Sequence, residues 1–337
     1  MTLNFEHKPA AHCETGVIAN LLRFYGFDFS EPMVFGLSSG LFFSHMPFLK
    51  MSGMAVTSFR TFPGVLFSRV ARLLGFKIKT KRYLNKEKAM QKLDKVLLSG
   101  VPVGCVVGMY YLPYVPMEYR FHFNGHNIGI IGKDEQNNYI VSDPNAIEKV
   151  KISREDLIRV RYAKGGTYPV FGQMYWIKTV PKKLPDLSKL ILKAIKRNCW
   201  LMTSQPKWLP YFGVNGIYYL SKVIRRWEEK MGKRKAALNL AQIIRMLEEI
   251  GTGGAGFRYM YAAFLQQSAT ITGIAELNSF SQRMTEIGDL WRDFAYKSAR
   301  VFKQRQGEQY SYAELSDILF QIAKLEEGFF RELKTVK

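Results

Sequence analysis

Residues 12–26 read HCETGVIANLLRFYG, and the expected fold is built around this stretch. Apolar residues recur at positions 17, 18, 21, 22, 24 and 25, which is helical spacing, and Gly26 is a typical stop. Cys13 therefore lies at or just before a helix N-terminus. The helix dipole and unpaired backbone N–H groups favour a thiolate at such a position. We therefore predict that Cys13 is a nucleophile.

A base and an orienting carboxylate are expected about a hundred residues later. Residues 123–132, FNGHNIGIIG, predict a strand with His126 near its start, and residues 139–142, YIVS, predict a second strand that runs into Asp143. If the two strands form an antiparallel hairpin, their outer ends face each other, and Asp143 lies beside His126. Cys13, His126 and Asp143 would then act as nucleophile, base and orienting acid.

The composition is that of a folded protein. The chain has 337 residues, of which 47% are hydrophobic and 14% aromatic, and its length suggests two domains. Neither a signal peptide nor an uncharged apolar run of about 18 residues is present, so we expect neither export nor membrane spanning. The three cysteines have no CxxC spacing, so we expect neither a disulfide framework nor a metal site. A cytoplasmic location is the expectation.

The formal net charge of +21 is large for a globular enzyme. Such a surface speeds encounter with an acidic partner, which could be nucleic acid, an anionic membrane face or an acidic carrier protein. The sequence has no zinc finger, RNP motif or KH loop, so nucleic acid is not expected. Peripheral contact with an anionic membrane remains open. The strongest basic cluster, within residues 225–235, is either a set of solvated helix ends or a dock for an acidic carrier.

The first half of the chain predicts a helix followed by a mostly antiparallel sheet. The Phe- and Met-rich residues 41–67 are interpreted as core and loop, or as the lining of a channel for an apolar acyl chain. Gly40 allows close backbone approach near the site. Further helices are predicted at 65–75, 86–99 and after Ser153, and further strands at 76–81, 101–108 and 174–177.

Strand patterns stop near residue 180. We therefore predict a catalytic domain over 1–180 and a helical domain that binds substrate or partner over 181–337. Helical periodicity covers residues 187–202, 214–232, 236–250, 257–272, 276–305 and 311–334.

Residues 251–256, GTGGAG, interrupt the helices. A glycine-rich loop before a helix can cradle a phosphate, and Gly254, Arg258 and Tyr259 are the residues best placed to hold such a ligand. The stretch follows a helix and lacks the P-loop Lys-Ser/Thr pair, so a tight inter-helix turn is the alternative.

Two motifs resemble a known family. Residues 12–16, HCETG, and residues 30–40, SEPMVFGLSSG, resemble the N-terminal domain of the butirosin biosynthesis protein H family. Residues 253–261, GGAGFRYMY, resemble the C-terminal domain that often accompanies it. The resemblance implies an α+β fold like that of C39-like and papain-like cysteine peptidases, followed by an all-helical domain. It also implies Cys13 as nucleophile, His126 as base and Asp143 as orienting acid.

The namesake of that family moves an acyl group from an acyl carrier protein to an aminoglycoside amine. The resemblance therefore implies an acyltransferase with no bound cofactor. Its co-substrate would be an acyl-phosphopantetheine on an acidic carrier protein, and its acceptor a small-molecule amine or a hydroxyl. Two alternatives stay open: a cysteine peptidase or amidase with the same triad, and a non-catalytic use of the fold.

The source of the oxyanion hole is open as well. Papain-like enzymes place a glutamine six positions before the cysteine, where this chain has His7. Backbone N–H groups around Cys13, with His7 or His12, are the candidate donors. His12 and His122 are also rivals of His126 as base. Glu14 and Glu31 would either orient an acceptor amine or cap helices.

Overall fold

The computed structural model describes residues 2–165, 169–206, 208–303 and 310–337. The chain divides into two compact units. The first comprises Met1–Val34 and Pro63–Pro185, and the second comprises Phe35–Phe62 and Asp186–Lys337. Residues 35–62 therefore belong to the second unit, although a single boundary near residue 180 would place them in the first unit.

Helices and strands are numbered in chain order. The helices are α1 (Cys13–Phe24), α2 (Glu31–Leu37), α3 (Val65–Leu74), α4 (Lys86–Leu98), α5 (Arg154–Arg161), α6 (Leu187–Thr203), α7 (Gly213–Ile224), α8 (Trp227–Met231), α9 (Lys233–Ile244), α10 (Arg258–Thr272), α11 (Glu276–Lys303) and α12 (Tyr312–Leu333). The strands are β1 (Leu41–Met51), β2 (Met54–Arg60), β3 (Lys77–Lys81), β4 (Val103–Val107), β5 (His126–Lys133), β6 (Tyr139–Ser142), β7 (Val150–Ile152) and β8 (Met174–Thr179).

The first unit contains a six-stranded sheet in the order β3-β8-β4-β5-β6-β7. All of its strand pairs are antiparallel, which confirms the predicted α+β class. The hydrophobic core of the unit includes Ile128 of β5, Leu93 of α4 and Leu157 of α5. Folding removes the apolar surface of these side chains from water, which stabilises the fold by roughly 25 cal/mol for each Å² buried.

Helix α1 is buried along almost its whole length, from Glu14 to Leu22. A helix that is buried on every side lies inside a unit rather than on its surface. It packs against β5, the strand that carries His126 at its start. Helix α1 and β5 therefore bring the ends that carry Cys13 and His126 into one region.

The second unit begins with an antiparallel hairpin of β1 and β2, where the sequence predicted core and loop. Its turn places Ser52 and Gly53 at φ values of 51° and 81°. The period of two is hard to read in the sequence because the register shifts twice, between Leu41 and Ser44 and between Met46 and Lys50. Such irregularities break the alternation of apolar and polar side chains.

The rest of the second unit is helical, as predicted. The predicted helix over 214–232 is two helices, α7 and α8, with the break at Arg225 and Arg226. The predicted helix over 236–250 is α9 followed by a π-helical turn, Arg245–Glu249. Residues 304–305 of the predicted helix 276–305 lie outside the described residues. None of the helices within the described ranges has the length and apolar character needed to cross a bilayer.

Candidate active site

Cys13 is the first residue of α1 and is partly exposed. The chain just before it is fixed by Glu31, whose carboxylate accepts the backbone N–H groups of Ala11 at 2.9 Å and His12 at 2.7 Å. The same carboxylate accepts the hydroxyl of Thr15 at 3.0 Å. Burial raises the pKa of Glu31, and these three hydrogen bonds oppose that shift. Glu31 thus holds the helix start that presents the thiol.

Gly16 lets the end of β6 approach the first turn of α1. A Cβ atom at this position would lie 2.6 Å from the Cβ of Ala10 and 2.7 Å from the Cβ of Pro144. The backbone N–H of Ala10 also donates to the carbonyl of Pro144 at 2.9 Å. Pro144 directly follows Asp143, so the absence of a side chain at residue 16 allows the carboxylate to come close to the helix that carries Cys13.

The three residues of the predicted triad meet at this point. His126 Nε2 lies 2.8 Å from Asp143 Oδ2, and the side chains are 2% and 1% exposed. The imidazole is also hydrogen-bonded to Cys13. Because Nε2 faces the carboxylate, Nδ1 is the nitrogen left for the sulfur. The order of contacts is therefore thiol, imidazole, carboxylate.

The charges of the site favour a protonated imidazole. Burial lowers the pKa of His126, but the carboxylate of Asp143 and the Cys13 sulfur outweigh it and raise that pKa from 6.5 to about 10. At neutral pH His126 is therefore an imidazolium. A cation beside a thiol favours the thiolate, which is the reactive form of cysteine.

Asp143 is held by more than the imidazole. Its Oδ2 also accepts the hydroxyl of Tyr114 at 2.9 Å, and its Oδ1 accepts the backbone N–H of Asn145 at 2.9 Å. Burial raises the pKa of Asp143, but the charge of His126 and these hydrogen bonds leave it below 3.8. The carboxylate therefore stays ionised and fixes the imidazole.

Sequence reasoning missed two residues at this site. Tyr114 is one, and Asn127 is the other, since its Nδ2 lies 4.0 Å from Cys13 Sγ. Asn127 directly follows His126 in β5, and that adjacency is the only signal the sequence offers. Tyr114 lies in a loop between Pro113 and Pro116, where nothing in the pattern singles it out.

The remaining cysteines lie in the cores. Both Cys105 and Cys199 are 0% exposed. Burial raises the pKa of the Cys105 thiol, and it raises that of Cys199 to about 12. Reagents in water reach partly exposed thiolates, so Cys13 is the cysteine positioned to react.

The other histidines near the motif have structural partners. His7 Nδ1 lies 2.8 Å from Ser142 Oγ, and its Nε2 lies 3.1 Å from the carbonyl oxygen of Ala146. His12 caps α1, because its side chain accepts the backbone N–H of Thr15. The ring of His122 stacks on Tyr110 at 4.0 Å. His126, by contrast, contacts Asp143 and Cys13.

The contacts of His7 bear on the predicted oxyanion role. Its Nε2 faces a carbonyl oxygen, which can only accept, so Nε2 carries the proton. Nδ1 is in turn engaged by Ser142, whose hydroxyl oxygen lies 2.8 Å away. Both ring nitrogens of His7 therefore have partners within the fold, and this arrangement does not support its role as an oxyanion donor.

Glu14 also has a structural contact. It is 3% exposed, and its Oε1 accepts the backbone N–H of Gly64 at 3.0 Å. Glu14 and Glu31 thus fit the capping alternative of the sequence analysis, in which they anchor backbone N–H groups rather than orient an acceptor amine.

The residues that were predicted to hold a ligand at the glycine-rich loop lie in the second unit. Arg258 is 0% exposed and donates to both carboxylate oxygens of Glu326, at 2.9 and 3.0 Å, and to the carbonyl of Gly256. The expected ligand role of Arg258 is not supported, because its guanidinium is fully buried in this pairing. Gly254 donates to Thr252 Oγ1 at 3.0 Å, within the turn itself.

The last two proposed ligand residues also pack within the second unit. The hydroxyl of Tyr259 donates to Asp289 at 2.6 Å, and burial with that carboxylate raises its pKa to about 12. Gly40 lies against Phe35, since a Cβ there would come within 2.5 Å of its ring. Among the described residues, no group of three or more His, Cys, Asp or Glu side chains is arranged to hold a metal ion.

Two family models match the chain. The model described as "Butirosin biosynthesis protein H, N-terminal" matches residues 12–144, a range that begins one residue before Cys13 and ends one residue after Asp143. The model described as "Domain of unknown function (DUF4872)" matches residues 155–333, which is more than half of the chain.

Among solved structures, the chain is similar to a crystal structure from Bacillus anthracis that is described as a C39-like peptidase. The two share 17% identity with a TM-score of 0.38, over 53% of this chain and 96% of that one. No curated protein matches this chain.

Proposed function

Since this chain belongs to the DUF4872 family and carries a butirosin biosynthesis protein H N-terminal domain, we propose that it is a cysteine-dependent acyltransferase. The match to the butirosin biosynthesis protein H N-terminal model supports a cysteine-dependent enzyme. The observation that supports the chemistry is the contact of Cys13 with the His126–Asp143 pair. The proposed donor is an acyl-phosphopantetheine on an acidic carrier protein, and the acceptor is a small-molecule amine or a hydroxyl.

The first half-reaction loads the enzyme. The thiolate of Cys13 attacks the carbonyl carbon of the donor thioester, and the C=O electron pair moves to oxygen. When the carbonyl re-forms, the bond to the pantetheine sulfur breaks. That sulfur leaves as a thiolate and takes the proton of His126. The products are a Cys13 acyl-enzyme, a neutral imidazole and the free carrier thiol.

The second half-reaction transfers the acyl group. The amine attacks the acyl carbon and gives its proton to neutral His126, which acts as general base. Collapse of the tetrahedral intermediate expels the Cys13 thiolate and leaves an amide. The site returns to the thiolate and imidazolium with which it began. Asp143 keeps the imidazole oriented through both halves.

We expect an acylated carrier to leave an acyl group on Cys13, detected by intact-protein and peptide mass spectrometry. Cys13→Ala should remove the adduct, because it removes the sulfur while changing little volume. Cys105→Ala is the matched control and should keep the adduct, because that thiol is buried away from reagents. An adduct on Cys105 or Cys199 would contradict the site.

The same experiment distinguishes transfer from hydrolysis. With an amine present, the proposal expects the amide product and slow release of free acid. Release of free acid at the same rate with and without amine would instead favour a hydrolase, in which water is the acceptor. Failure of Cys13 to load from any thioester would contradict the acyltransferase.

A further inference from the structure

The side chain of Asn127 lies at the reacting sulfur. Its Nδ2 lies 4.0 Å from Cys13 Sγ and 3.0 Å from the carbonyl oxygen of Gly125, which it donates to. Its Oδ1 accepts the hydroxyl of Tyr175 at 2.8 Å. The residue is 5% exposed. The amide therefore has a fixed partner on three sides, and one of those partners is the nucleophile.

These partners determine which end of the amide faces the sulfur. The carbonyl of Gly125 can only accept a hydrogen bond, so the nitrogen must be on that side. An amide nitrogen has two hydrogens, and the second one is left for Cys13. Asn127 thus directs an N–H donor, not an acceptor, at the place where the acyl carbonyl will be attacked.

Tyr175 fixes the other end of the amide. It is 5% exposed, and burial raises its pKa well above 10, with Glu14, Cys13 and the core residue Cys105 adding to the effect. Tyr175 therefore remains a neutral donor to Asn127. The sheet makes room for its ring at Gly104, where a Cβ would lie 2.1 Å from the ring.

We propose that the side-chain amide of Asn127 is an oxyanion-hole donor, held in place by Tyr175. When the Cys13 sulfur attacks, the carbonyl oxygen gains the C=O electron pair and needs an N–H partner. His7 has used its N–H elsewhere, whereas Asn127 has one directed at the sulfur. The amide donates to the oxyanion in both half-reactions and exchanges no proton.

This inference rests on the proposed function only in that acyl chemistry occurs at Cys13. The test compares two reactions of the same sulfur. Acylation by a p-nitrophenyl ester passes through an oxyanion, and alkylation by iodoacetamide does not. In Asn127→Ala we expect acylation to slow about 100- to 1,000-fold, the cost of losing one oxyanion-hole donor. Alkylation should keep its rate and pH profile, since His126 still supplies the imidazolium.

Two further variants separate catalysis from folding. Asn124 is a buried asparagine outside the site, 4% exposed, whose amide donates to the carbonyl of Ala163. Asn124→Ala should lose comparable stability yet keep both reactions. Tyr175→Phe keeps the ring but frees the amide, so it should slow acylation about tenfold without slowing alkylation.

The outcomes distinguish this proposal from the proposed function. Equal loss of acylation and alkylation in Asn127→Ala would mean that the amide acts on the sulfur or on the fold, and it would overturn the oxyanion role. Unchanged acylation would overturn it as well. Wild-type protein that is acylated by the ester but not by an acyl-carrier thioester would instead contradict the acyltransferase and leave the role of Asn127 intact.

Discussion

The His126–Asp143 pair places two charges in the interior of the first unit, where each would be costly alone. It persists because every charged atom has a partner: the imidazolium contacts Asp143 and Cys13, and the carboxylate also accepts from Tyr114 and Asn145. The same contacts hold the imidazole beside the Cys13 sulfur. The stability of the first unit and the reactivity of the site therefore both depend on the hydrogen bonds of the His126–Asp143 pair.

The two members of the pair act over different pH ranges. The pKa of His126 rises from 6.5 in the unfolded chain to about 10 in the fold, so its contribution is full below 6.5 and is lost as pH rises through 10. The pKa of Asp143 falls below 3.8, so its contribution is present above 3.8 and is lost as pH decreases through the folded value. The pair therefore stabilises the folded protein most between pH 3.8 and pH 6.5.

We expect Asp143→Asn to lower the free energy of unfolding by about 2 kcal/mol near pH 6, because a charge-assisted hydrogen bond is lost. The difference from wild type should narrow steadily as pH rises toward about 9, because wild-type protein loses the contribution of His126. Urea denaturation across that range measures it. Acyl loading by the variant should also slow sharply, since the imidazole loses its orienting partner.

Asp134→Asn is the control for this measurement. Asp134 is an aspartate in the β5–β6 turn that pairs with Lys151, and that pairing lowers its pKa. Lysine stays protonated to about pH 10, so the small effect of this variant should be constant over the same range. A difference for Asp143→Asn that is equally constant would contradict the pH behaviour assigned to His126.

Residues with distinctive chemistry could be predicted from the sequence, whereas residues that contribute through hydrogen bonds alone could not. Cys13, His126 and Asp143 stand out because few residue types serve as nucleophile, base or orienting acid. Asn127 and Tyr114 are common residue types, and their roles depend on distances that only the folded sheet sets. The oxyanion role considered for His7 could not be weighed from the sequence either, because its partners Ser142 and Ala146 are 135 and 139 residues away in the chain.

Among the elements, α1 and the end of β6 depend on each other through Gly16. We expect Gly16→Ala to destabilise the protein by about 1–3 kcal/mol, because the added methyl would overlap Ala10 and Pro144. Acyl loading should also slow, since relief of the overlap moves Asp143 away from α1. Thermal unfolding and loading kinetics measure both effects.

Gly328→Ala is the matched control in a helix without such an approach. Gly328 lies within α12, and its nearest neighbour to an added Cβ is Glu332 Oε1 at 3.8 Å. The substitution should therefore stabilise the protein by about 0.5–1 kcal/mol through helix propensity. If Gly16→Ala were also stabilising and fully active, the close approach would not be needed.

Helices were easier to predict from this sequence than strands. The helices over 187–202 and 257–272 follow a clear 3.6-residue period, and their observed bounds agree within one residue. The β1–β2 hairpin was missed because its two register shifts interrupt the period of two that marks a strand. The break between α7 and α8 at Arg225 was missed because neither glycine nor proline marks it.

On the scale of the whole molecule, the feature that needs an explanation is the formal net charge of +21. Part of the basic cluster is already paired, since Arg225 contacts Asp317 at 2.8 Å and Arg226 contacts Glu229 at 2.7 Å. Exposed pairs of this kind contribute little to stability. We propose that the excess charge acts through its long-range field, which would attract an acidic carrier wherever the carrier docks.

We therefore expect the second-order rate of loading from an acidic carrier to fall tenfold or more as salt rises from about 0.01 M to about 0.15 M, because the Debye length shrinks from about 30 Å to about 8 Å. The maximal rate at saturating carrier should change little, since the buried His126–Asp143 pair is shielded from salt. The control substrate is an uncharged acyl thioester without a carrier, which the field cannot attract. If both substrates lost rate equally, salt would be acting on the enzyme rather than on the encounter, and if neither did, the charge would have another purpose.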